Sequence, residues 1–125
     1  MTITIDRVRI SAAGKQQLST LKRRTGIEHY NVICRHALCA SLANVSVPPE
    51  EEANYSGGIE IDWKVFAGES DVVLRNILVT RTLADYRELN TVLIRQCLSL
   101  HLHRGLSYLA STNPSDGLDC IMFRE

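Results

Sequence analysis

Val8-Arg-Ile-Ser11, then Lys15-Gln-Gln-Leu-Ser-Thr-Leu-Lys-Arg-Arg-Thr-Gly26, then Asn31-Val-Ile-Cys-Arg-His-Ala-Leu-Cys-Ala-Ser-Leu42 make up the stretch whose reading decides the fold. Ser11 carries a side-chain oxygen that can accept from an unpaired N–H of a first helical turn. Gly26 can take the left-handed conformation that closes a helix, and Lys22, Arg23 and Arg24 place cations at its negative end. A helix over residues 12–25 follows. At about 100° per residue, Gly14, Leu18, Leu21 and Thr25 share one stripe, and Lys15, Ser19, Lys22 and Arg23 share another. One face packs and the other is cationic.

The second helix, expected over residues 28–43, has a different character. Val32, Ile33, Cys34, Ala37, Leu38, Cys39, Ala40 and Leu42 make it apolar nearly all round, which predicts burial on most sides and, in so short a chain, a subunit interface. Strand, basic helix and apolar helix in that order describe a ribbon-helix-helix unit, in which two chains pair their strands. The fold expected is therefore mainly α: a ribbon-helix-helix-like N-terminal half, then one further short strand and two more helices, in an oligomer.

Charge is distributed unevenly along the 125 residues, although the net charge is zero. Residues 1–44 hold seven Lys or Arg against Asp6 and Glu28, for +5, whereas residues 45–85 hold eight acids against three bases, for −5. Cations on a helix face without interleaved acids, preceded by Arg7 and Arg9 on an extended segment, point to a polyanion partner.

Taken together, Leu21-Lys-x-Arg-Thr-Gly26, Asn31-x-x-Cys-Arg-x-Ala-Leu38, Ser41-Leu42 and the later His101-Leu-x-Arg-Gly105 resemble the DndE family of bacterial DNA phosphorothioate modification systems. The resemblance spans most of the chain. It implies a mainly helical subunit that forms a homotetramer and binds double-stranded DNA, nicked duplex preferred, through surface lysines. It also implies partner proteins that carry the chemistry: a cysteine desulfurase, a sulfurtransferase and an ATPase. The residues matching the family's basic helix are Lys15, Lys22, Arg23 and Arg24, and Arg9 on the preceding strand joins them as a DNA-binding candidate. Where Thr-Pro commonly opens the second helix in that family, this chain has His29-Tyr30.

The rest of the chain reads as one DndE-like domain over 1–125, with 1–44 the basic part, 45–58 an acidic Pro/Gly loop, 59–111 a strand and two helices, and 112–125 a tail. Two prolines, the acids Glu50, Glu51 and Glu52, and Gly57-Gly58 mark the loop. Ile59, Ile61, Trp63 and Val65 alternate with polar residues and predict a half-buried strand, with Trp63 in the core and not stacked on a base. Helices are expected over 71–83, capped by Glu69, Ser70 or Asp71, and over 85–111, with Arg87, Arg95 and Arg104 on the less apolar side. In the tail, Ile121-Met122-Phe123 is a run suited to docking on a neighbour.

Neither a signal peptide nor an apolar run long enough for a membrane is found, so a cytoplasmic protein without membrane contact is expected. Cys34, Cys39, Cys97 and Cys120 fit that compartment as reduced thiols, Cys34 and Cys39 as core residues. No C-x-x-C occurs, and the step from Cys34 to Cys39 turns about 140° around a helix, so no metal site and no cofactor are expected. Cys34 beside Arg35 is the one candidate for a persulfide carrier. With no phosphate-cradling glycine loop, Walker lysine or nucleophile elbow, no catalytic residue is assigned. The reading that results is a non-catalytic DNA-binding subunit. Its alternatives are a ribbon-helix-helix transcriptional regulator and a protein scaffold for the modification enzymes. Direct base readout is disfavoured, because a ribbon carrying Thr2, Thr4, Asp6 and Arg9 would set Asp6 against phosphate and base acceptors.

Overall fold

The computed structural model describes residues 5–50 and 54–111. The expectations placed on Thr2, Thr4, Glu51, Glu52, Cys120 and the Ile121-Met122-Phe123 run lie outside them. In chain order come β1 (Arg7–Ile10), α1 (Ala12–Thr25), α2 (Tyr30–Leu42), β2 (Ile59–Asp62), a short α3 (Trp63–Ala67), a 3-10 turn (Gly68–Ser70), α4 (Asp71–Tyr86) and α5 (Thr91–Ser111).

Local chemistry sets the first helix as the sequence implied. Ser11 Oγ accepts from the Gly14 N–H at 3.0 Å, and Gly26, at φ 73°, donates its N–H to Lys22 O. Gly14, Leu18 and Leu21 are buried, while Lys15, Lys22, Arg23 and Arg24 are exposed. The second helix starts at Tyr30 and not at Glu28: His29 is its N-cap residue but makes no side-chain cap bond.

α5 is the element on which the others converge. Its buried positions Ile94, Cys97, Leu98, His101, Leu102, Gly105, Leu106 and Leu109 recur at three- and four-residue steps, the pattern of one broad helical stripe. α2 lies closest against it. A Cβ on Gly105 would stand only 1.7 Å from Ala37 O, so glycine is what permits this crossing. Within α2, Ile33, Cys34, Ala37, Leu38 and Ser41 are buried, but Cys39 is exposed, which corrects the expectation of a core thiol there.

Three further expectations are revised. First, β1 pairs antiparallel with β2 of its own chain, Arg7 opposite Asp62 and Ile10 opposite Ile59. Second, the alternation from Ile59 stops at Asp62. Trp63, Phe66 and Ala67 turn inward at helical spacing in α3 and Val65 is left exposed, a difference that so short a window of alternating residues cannot reveal. Trp63 is in the core, 4% exposed.

Third, the break expected between helices over 71–83 and 85–111 falls later, at residues 87–90. α4 runs on to Tyr86 and ends at Arg87, whose φ of 57° is left-handed. α5 then begins at Thr91, capped by Asn90 Oδ1 accepting from the Leu93 N–H at 2.9 Å. Arg87 therefore closes α4 and does not line α5. The apolar surplus also lies elsewhere than expected. Most of it is on α4, which exposes Val72, Val73, Ile77 and Leu83, while α5 exposes Val92 and part of Tyr108.

Asp71 does not cap α4. It accepts from Trp63 Nε1 at 2.6 Å and from Arg75 Nε and Nη2, and these bonds, the arginine's foremost, hold its carboxyl below the usual range. Among the described residues no helix is long and apolar enough to cross a membrane.

Candidate nucleic-acid interface

The five predicted contact residues do not form one patch. Lys15 and Lys22 lie two turns apart on the same flank of α1, with Arg23 about 100° further round. Lys22 Nζ stands 5.5 Å from the Tyr30 ring centroid, and Arg23 Nη2 reaches Thr20 Oγ1 at 3.5 Å. None of the three is ion-paired among the described residues, and α1 itself contains no acid. Arg24 faces the opposite flank and donates to Ala110 O at 2.8 Å, where it serves the C-terminal end of α5. Arg9 sits on β1, its guanidinium carbon 4.5 Å over the Tyr55 ring and its Nε 3.5 Å from Glu60.

The densest polar chemistry is in the interior, and the sequence did not disclose it. Asp85 Oδ2 lies 2.9 Å from His101 Nε2, and His101 Nδ1 lies 2.8 Å from Ser41 Oγ. Arg104 Nε donates to Ser41 Oγ at 2.8 Å, and Arg81 Nε donates to Asp85 Oδ1 at 2.8 Å. One proton arrangement satisfies every partner: Arg104 donates to Ser41, Ser41 donates to Nδ1, and a neutral His101 donates from Nε2 to the carboxylate. Burial holds the His101 pKa below its ordinary value, opposed by the Asp85 hydrogen bond and reinforced by Arg81.

This is an Asp–His–Ser alignment, yet Ser41 and His101 are completely buried, which closes the hydroxyl to a substrate. Its work is structural. Arg81 also donates to Leu42 O, Asn44 O and Ser46 O, and Arg104 donates to Ser41 O and Asn44 O, so two guanidiniums satisfy the free carbonyls at the end of α2.

Asp85, Cys97 and His101 also bring one ligand atom each within 4.8 Å of one another, the one such group among the described residues. Spacing between cysteines along one helix carries no sign of a group drawn from α4 and α5. A cation there would stand beside Arg81 and compete with it for Asp85, and burial already pushes the Cys97 thiol up. Cys34, the persulfide candidate, is buried and pushed up to about 12 by that burial, which opposes a thiolate role.

The residues that carried the family resemblance now acquire places. Asn31 Nδ2 donates to Val65 O and Arg35 Nη1 to Phe66 O, anchoring α3 on α2. Thr25 Oγ1 donates to Leu21 O and accepts from the Ile27 N–H. His101, Arg104 and Gly105 make the α2–α5 junction.

Fold and site together define a small, mainly helical protein whose buried polar groups brace helix packing and whose outward helix carries cations unpaired among the described residues. The family model described as DNA sulphur modification protein DndE matches residues 7–116, and the chain belongs to that family, which takes part in DNA phosphorothioation. The crystal structure of DndE from Escherichia coli B7A, involved in DNA phosphorothioation modification, is similar in fold: TM-score 0.70, 21% identity, covering 86% of this chain and 100% of that one. The structure of a DndE G21/24K mutant gives TM-score 0.66 and 18% identity, covering 86% of this chain and 98% of that one. Among curated proteins none matches significantly.

Proposed function

We propose that this chain is the non-catalytic, single-domain DNA-binding subunit of a cytoplasmic DNA phosphorothioation machinery. It holds duplex phosphates on the flank of α1 that carries Lys15, Lys22 and Arg23. The observation that carries this reading is that these three cations are exposed, unpaired among the described residues and free of acids along their helix. Arg24 and Arg9 are secondary, since each already has a partner. Phosphate contact of this kind positions a protein without reading sequence.

Assembly supplies the rest. A homotetramer would repeat the basic flank four times and gain affinity through multivalency. The exposed Val72, Val73, Ile77 and Leu83 of α4 support an apolar contact between copies. Nicked duplex is preferred in this reading because it bends at little elastic cost and meets basic flanks on two subunits. The cysteine desulfurase, sulfurtransferase and ATPase then supply the chemistry. The order strand, helix, helix keeps a ribbon-helix-helix likeness, but in-chain pairing of β1 disfavours a regulator that reads bases from an intermolecular ribbon.

The test is a salt series. Lys15→Ala and Lys22→Ala should each weaken binding to every duplex sequence and flatten the log K against log salt slope by about 0.9 for each phosphate no longer neutralised. Variants that bind like the parent at equal salt would refute the assignment.

A further inference from the structure

On the outer side of the β1–β2 sheet lies a cleft of about 510 Å³ that the basic flank of α1 does not include. Arg7 and Arg9 enter it from β1, Arg95 from α5, and Tyr55 and Ser99 line it between them. The Tyr55 ring is fixed in place: its hydroxyl is 2.9 Å from Ser99 Oγ, and the His103 ring meets it edge-on at 6.3 Å between centroids. Arg9 lies over that ring, which restricts its guanidinium.

Charge in the cleft is unbalanced among the described residues. Glu60 is shared, one oxygen 3.1 Å from Arg7 Nη1 and the other 3.5 Å from Arg9 Nε, so a single carboxylate serves both strand arginines. Glu50 is the acid on the lining among the described residues, and it accepts from Gln96 Nε2 at 2.9 Å. Arg95 is exposed and makes no hydrogen bond or ion pair among the described residues. Among the described residues, three guanidiniums thus face two carboxylates, with donors to spare.

We propose that this cleft binds a phosphate monoester at the end of a polynucleotide strand. The shape selects an end: an internal phosphodiester lies on the convex outside of a duplex, whereas a strand terminus can enter a concavity of the size that takes a small ligand. The chemistry selects the monoester, whose second ionisation adds charge and acceptor oxygens suited to planar guanidinium forks. Because Arg9 already covers the Tyr55 face, recognition is of the phosphate and not of a stacked base. The inference rests on the DNA-binding reading and locates the strand-end contact apart from α1.

The experiment has two arms. In the first, nicked duplexes with a phosphate or a hydroxyl at the break are compared with intact duplex by fluorescence anisotropy. The phosphorylated nick should bind about fivefold tighter than the hydroxyl form. Arg95→Gln should abolish that ratio and change intact-duplex affinity less than about twofold. Lys22→Ala should weaken all three and preserve the ratio. In the second arm, thymidine dinucleotides with a 5′-phosphate, a 3′-phosphate or neither are titrated while the Tyr55 and arginine side-chain NMR signals are followed. Saturable shifts with either phosphorylated form are expected, and the form that acts identifies the end. No such shifts, equal affinity for phosphate and hydroxyl nicks, or a ratio that survives Arg95→Gln would overturn the proposal. An unaffected Lys22→Ala alongside intact dinucleotide shifts would refute the α1 surface and leave the cleft standing.

Discussion

Gly105→Ala tests the central packing claim. The new Cβ would lie 1.7 Å from Ala37 O and 2.4 Å from its carbonyl carbon, both backbone atoms that cannot rotate away. The helices must part by more than about 1 Å, which forfeits roughly half the dispersion attraction between neighbouring side chains. Overpacking of a core costs about 1–3 kcal/mol, and looser packing among residues such as Ile33, Leu38, Leu102 and Leu106 adds about 1–2 kcal/mol. Alanine's better helix propensity returns about 1 kcal/mol. The net is about 1–4 kcal/mol of destabilisation, a large share of what a domain of this size possesses. Urea denaturation at fixed protein concentration, followed by circular dichroism, reads it directly. Gly26→Ala is the control: φ is 73° but nothing lies within 4 Å, so only the backbone penalty of about 1–2 kcal/mol applies. A Gly105→Ala protein no less stable than Gly26→Ala would refute the account of the crossing.

Further outcomes follow from the same interior. His101 has a lowered folded pKa, so the unfolded chain binds its proton first, and stability should fall as pH drops through and below its ordinary value of 6.5. Thermal melts between pH 5 and 8 should show this slope, and His101→Gln, less stable throughout, should show less of it. Cys34→Ser should cost about 1–3 kcal/mol while Cys39→Ser stays within about 0.5 kcal/mol, and iodoacetamide should label Cys39 in the native protein before Cys34. Ile77→Glu on the exposed face of α4 should lower the mass seen by light scattering without changing helix content, and an unchanged mass would move the subunit contact elsewhere.

What is legible in the sequence is local. Ser11 and Gly26 fix both ends of α1 because capping needs only the nearest few residues. The buried stripe of that helix can be read for the same reason. The exact place of the α4–α5 break is harder to read, because apolar residues continue at helical spacing across it. Its signal is Asn90 before Thr91, a capping pair at the start of an apolar run. Asp85, expected as a helix start, is instead a buried partner of Arg81 and His101, a role set by residues on two different helices. Of the candidate site, exposure of the α1 cations can be read from the helical wheel. That Arg24 and Arg9 have partners cannot, because Ala110 and Glu60 are distant in sequence.

The family resemblance itself divides along this line. Cys34, Ala37, Leu38 and Leu102 are core residues, and Thr25, Asn31, Arg35, Ser41, His101 and Arg104 each hydrogen-bond a neighbouring element or turn. Gly26 closes α1, Gly105 admits α2, and Arg24 holds the end of α5. Lys22 differs: it stands over the Tyr30 ring at 5.5 Å, an approach worth about 0.5–1 kcal/mol at an exposed site. A lysine that the resemblance marks out and folding hardly uses is the best single probe of the proposed surface. Lys22→Ala should therefore leave the melting temperature nearly unchanged while weakening DNA binding, whereas Arg35→Ala should lower the melting temperature by freeing the Phe66 carbonyl. Equal destabilisation of the two variants would mean that Lys22, too, belongs to the scaffold.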